Sequence, residues 1–139
     1  VTFGSIPNTY RDLVAVINIR GLTGSPTARG GYMSLNGAAA SSVYVQSSGG
    51  TANSGTDGAD AIMPFATGQG VFIVNIMDYS ATDKHKPLLI RTSSTTSAWF
   101  IGGRYPSTNA VTSITFHGPD NGSDQFAVGS TFTLYGIAS

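Results

Sequence analysis

The stretch YRDLVAVINIR, Tyr10 to Arg20, constrains the fold more than any other part of the chain. Read with a period of two, it lines one face with Leu13, Ala15, Ile17 and Ile19, while Val14 and Val16 make much of the opposite face apolar as well. GVFIVNIMDYS repeats the pattern, with Phe72, Val74 and Ile76 on one side and Val71, Ile73, Met77 and Tyr79 on the other. A sheet in a sandwich has one inner face, so the second apolar face must meet a loop, another sheet or a neighbouring subunit.

Helices have little to build on. The chain contains no Glu, and Lys occurs only as Lys84 and Lys86, which removes two of the commonest exposed helix formers. Further strands are expected at GYMSL, SSVYVQ, KPLLIRTSS, AWFIGGRY, AVTSITFHG and STFTLYGI, punctuated by Gly, Asn, Ser and Pro. The pattern predicts a single all-β domain over residues 1–139, an antiparallel, jelly-roll-like β-sandwich of about eight strands; strand number alone leaves a barrel open. In AWFIGGRY, placing Phe100 inward turns Trp99, Ile101 and Tyr105 to the other side. The closing GSTFTLYGIAS is expected to be a strand inserted into the body of a sheet. SSGGTANSGTDGAD, residues 47–60, has no hydrophobic period and is expected to be a long loop, as are GPDNGSDQ and SATDKHKP.

Only 10% of the residues are charged, against about 25% in an ordinary soluble domain. The exterior must therefore be clothed in hydroxyls, amides and backbone from 17 Ser, 16 Thr and 18 Gly, or be partly hidden against other chains. Formal net charge is zero, and Arg11, Arg20, Arg29, Arg91 and Arg104 are scattered, so no basic stripe for nucleic acid or an anionic membrane is present. No run approaches the ~20 apolar residues of a membrane-spanning helix. Without cysteine, stability rests on packing or assembly.

The chemistry-bearing residues form no recognisable catalytic pattern. The acidic residues are seven Asp, and Asp57, Asp60, Asp120 and Asp124 lie in turn-rich sequence where capping and solvation account for them. No G-x-S-x-G stretch accompanies His85 or His117. His85 sits between two lysines as a solvated residue would, and His117 is expected to be exposed at a strand end. Two histidines 32 positions apart make no zinc pattern, DNGSD lacks the spacing of a calcium loop, and the GQG before a strand is not a phosphate loop. No cofactor and no metal are expected. The group that remains is SAWFIGGRYPS: Trp99, Arg104 and Tyr105 are candidate ligand-binding residues, since aromatic rings stack on sugar C–H groups while polar side chains catch hydroxyls. The alternative is that Trp99 fills the core or a subunit interface.

SIPNTYRDLVAVINIR, VNIMDYS with the following Lys84 and Lys86, AVTSITF and GSTFTLYGI together resemble a β-sandwich domain found at the C-terminal ends of structural proteins of tailed bacteriophages, in tail-fibre or spike tips and in head-decorating proteins. The matching stretches cover about half the chain; residues 32–65 depart from the pattern. The resemblance implies a non-enzymatic virion protein, the C-terminal part of a longer chain, located on the tail or head surface. Its expected partners are copies of itself, as a homotrimer, other virion proteins, and a host surface glycan or protein. Two roles follow: a receptor-binding tip, or a capsid decoration protein that stabilises the shell.

Overall fold

The computed structural model describes residues 1–23, 31–39, 42–48, 51–57, 69–94, 98–118 and 125–138. Their regular elements are all strands: β1 (Thr2–Phe3), β2 (Asp12–Ile19), β3 (Leu22–Thr23), β4 (Tyr32–Leu35), β5 (Ala38–Ala39), β6 (Ser42–Ser48), β7 (Thr51–Asp57), β8 (Gly70–Ile76), β9 (Lys86–Ser94), β10 (Ala98–Tyr105), β11 (Ile114–His117), β12 (Gln125–Phe126) and β13 (Thr131–Ile137). Nine of the described strands have four or more residues. A seven-stranded sheet runs β13-β2-β8-β9-β10-β6-β7, a four-stranded sheet runs β1-β11-β4-β5, and β12 pairs with β3; every pairing is antiparallel. The chain is an antiparallel β-sandwich.

The core is what the period of two requires. Leu13, Ala15, Ile17 and Ile19 of β2, Phe72, Val74 and Ile76 of β8, and Leu88 and Ile90 of β9 are buried against Met33 and Leu35 of β4 and Ile114 and Phe116 of β11. Each of these side chains other than Ala15 contributes roughly 1.5–3 kcal/mol by leaving water. Phe132 and Leu134 of β13 extend this layer, and Phe132 packs beside Phe116 and Phe126.

Two connections pack against the segment before β11, residues 110–113. Between β4 and β5, Asn36 and Gly37 both have positive φ, 53° and 75°, the conformation a two-residue hairpin turn requires and one that Asn and Gly tolerate best. The Asn36 amide donates to the Ala110 carbonyl at 2.8 Å, and its Oδ1 accepts from the backbone N–H groups of Thr112 and Ser113 at 2.8 and 3.2 Å. One side chain thus ties the hairpin to the segment before β11. Between β8 and β9, Asp78 at φ 48° turns the chain, and Tyr79 drops into the core with its hydroxyl donated to the Pro7 carbonyl. Alternation alone puts Tyr79 on the outer side of β8; the left-handed residue before it reverses that.

Three expectations about strands change as well. Residues 51–57, expected within a loop, form β7, held to β6 through backbone pairing that needs no apolar alternation. Among the described residues β13, expected inside a sheet, is an edge strand paired with β2. In β10 the faces are reversed: Ile101 and Tyr105 are buried, and Phe100 is 59% exposed.

Candidate functional site

β10 separates the three residues expected to form a ligand surface. Tyr105 belongs to the core, its hydroxyl donated to the Leu35 carbonyl at 3.2 Å. Trp99 is half-buried on the same, inward side of the strand, and Arg104 is exposed on the outward side. Core packing claims Tyr105, so the three side chains do not share one exposed face. The residues sharing Arg104's side of β10 are Ala98, Phe100 and Gly102.

Those residues belong to a larger feature, the outer face of the seven-stranded sheet. The registers set Thr133, Val16, Ile73, Arg91 and Phe100 in one row across β13, β2, β8, β9 and β10, and Tyr135, Val14, Asn75, Leu89 and Gly102 in the next. Val71, Leu89, Phe100, Tyr135 and Ile137 of this face are exposed, while Val14, Val16 and Ile73 are half-buried by their neighbours. Scattered surface apolar residues need no explanation, but these lie in adjacent rows of one sheet. Arg91 and Arg104 are its described basic groups, and both sit at the β9–β10 end. At another margin Asn18, Gln69, Gly70, Val71, Ser93 and Ser94 line a shallow, open depression.

The outer face of the smaller sheet is polar and holds the one histidine with a built environment among the described residues. His117 Nε2 lies 2.9 Å from the Ser34 hydroxyl, and its ring stacks on Tyr32 with centroids 4.2 Å apart. The strand-end position suggested exposure; cross-strand stacking with Tyr32, its register partner, half-buries it instead. Burial lowers the His117 pKa below the ordinary histidine value. Among the described residues no carboxylate bonds the imidazole to orient it, as an activated serine–histidine pair requires. His85 is exposed.

Lys86 is fully buried at the start of β9, its ammonium donating to the carbonyls of Lys84 and Ser107 at 3.2 and 3.1 Å. Desolvation lowers its pKa. Its partners are backbone oxygens, so it fastens the β8–β9 connection to the segment after β10. Lys84 instead pairs with Asp78 on the surface at 3.0 Å. No group of three metal-ligating side chains occurs among the described residues. Asp60, Asp120 and Asp124 lie outside them.

Set against protein-family models, curated proteins and solved structures, the chain matches none.

Proposed function

We propose that this chain is a non-enzymatic structural module of a bacteriophage virion, a self-associating β-sandwich that serves as the host-recognition tip of a tail fibre or spike. The observation that carries the reading is the exposed apolar outer face that β13, β2, β8, β9 and β10 form in the larger sheet, where the described basic groups are Arg91 and Arg104. A face of this composition gains by packing against another layer, and the low share of charged residues in the chain as a whole suits a surface partly hidden in an assembly. The likeness of SIPNTYRDLVAVINIR and GSTFTLYGI to phage sandwich domains supplies the virion context. In this reading the outer faces meet around a three-fold axis, and the connections at the ends of the sandwich contact a host glycan or protein.

Immunogold electron microscopy of particles carrying this chain tests the location, and competition between the isolated chain and intact phage for host cells tests the role. Label at a tail tip together with competition is the expected result. Label on the head would replace recognition with capsid decoration, in which the same face locks onto the shell. Absence of label from any particle would overturn the virion reading altogether.

A further inference from the structure

Among the described residues, β13 has a single strand neighbour, β2, and its other edge is open. Which backbone groups face that edge follows from the ladders, because alternate residues of an antiparallel strand send both N–H and C=O to opposite neighbours. The Met77 N–H donates to the Pro87 carbonyl at 3.1 Å, so the odd-numbered residues of β8 bond β9 and the even-numbered ones bond β2. The β2 partners of those even residues are Leu13, Ala15, Ile17 and Ile19. Asp12, Val14, Val16 and Asn18 therefore bond β13, through Ile137, Tyr135, Thr133 and Thr131. The Arg11 N–H donating to the Ile137 carbonyl at 2.8 Å agrees with this. Phe132, Leu134 and Gly136 are left presenting N–H and C=O groups outward.

Sheet edges are ordinarily guarded by lysine, proline, a bulge or brevity. On the smaller sheet the edge strands β1 and β5 have two residues each. β13, TFTLYGI, has seven residues, no charge and no proline. It is long, neutral and rich in β-formers, which makes it a template for another strand.

We propose that β13 pairs antiparallel with β13 of a second copy of this chain, about a two-fold axis through Leu134, joining two seven-stranded sheets edge to edge. The inference rests on the self-associating reading above and adds a second contact to it. In this register Leu134 faces Leu134 and Phe132 faces Gly136 of the second copy as hydrogen-bonded pairs, so every outward N–H and C=O is used. Sliding the register by two leaves an outward residue of each copy unpaired. On the outer face Thr133 then opposes Tyr135 and Thr131 opposes Ile137 of the second copy, pairs of β-branched with aromatic or aliphatic side chains that stabilise antiparallel sheets. The apolar outer face runs uninterrupted from one copy into the next. A two-fold contact is isologous and closes at a dimer; combined with three-fold packing of the outer faces it gives six chains.

Charge substitution reads this register directly. Thr133→Lys with Tyr135→Lys sets lysine opposite lysine across the axis, whereas Thr133→Asp with Tyr135→Lys sets aspartate opposite lysine. Sedimentation equilibrium of the unsubstituted chain should show an even-numbered assembly; the double lysine variant should lose mass, and the aspartate–lysine variant, which carries the same Tyr135→Lys change on the outer face, should regain it, with circular dichroism confirming a folded sandwich in each. An odd-numbered assembly unchanged by the lysines would overturn the edge contact and leave the outer-face reading standing. A monomer at every concentration would overturn both. Amide exchange of the unsubstituted chain covers the case in which a variant fails to fold: the Leu134 amide should be protected increasingly with protein concentration, and fast exchange at all concentrations would refute the pairing.

Discussion

Asn36 and His117 show how much single polar side chains hold in a chain so poor in charge. Asn36 supplies the left-handed turn residue and at least three hydrogen bonds to the segment before β11. Asn36→Ala removes those bonds and strains the turn, and should lower unfolding free energy by about 2–3 kcal/mol in a denaturant titration. A loss indistinguishable from zero would mean the turn is held by Gly37 alone. His117 bears on pH. Burial sets its folded pKa below 6.5, so the unfolded chain binds the proton more readily. Stability should be full above the unfolded value and fall as pH drops from about 6.5 toward the folded pKa. His117→Gln, which keeps a hydrogen-bonding group without titrating, should flatten that part of the profile, and an unchanged slope would assign the dependence to other groups.

The strands differ in how plainly the sequence announces them. β2 and β8 are legible because each carries apolar residues at every second position and enough on the alternate positions to mark a covered strand. β7 is not, because TANSGTD has no apolar face to reveal and is held by backbone bonds to β6. Alternation also says which residues share a face without saying which face is inner: β10 carries aromatic residues in both sets, and the set with Ile101 and Tyr105 fills the core. The same limit applies to β13, where the pattern gives a strand and its faces but not its number of neighbours. One local rule is steric. A Cβ at Gly136 would overlap the Tyr10 ring, which lies against β13 there. Gly136→Ala should destabilise the chain by roughly 1–3 kcal/mol, the usual cost of overpacking, and should cost much less in a Tyr10→Ala background. Equal losses in both backgrounds would show that the ring is not the obstacle.

At the scale of the molecule, sandwich architecture and the two-sided greasiness of the large sheet were readable in the order of residues. The site was less so, because Tyr105 packs in the core and Trp99 lies on the inward side of β10, leaving Arg104 with Phe100 on the outer face. The exposed apolar surface is instead distributed over β13, β2, β8, β9 and β10, and a surface assembled from five strands has no contiguous motif. The central claim is that this face is covered when copies of the chain meet. The chain has no cysteine, so Val71→Cys places a unique thiol on the face, at a position 43% exposed in the single chain. Its rate of reaction with a soluble thiol reagent should be fast in dilute solution and slow markedly as protein concentration rises. A rate that stays fast and constant across the whole concentration range would contradict the account.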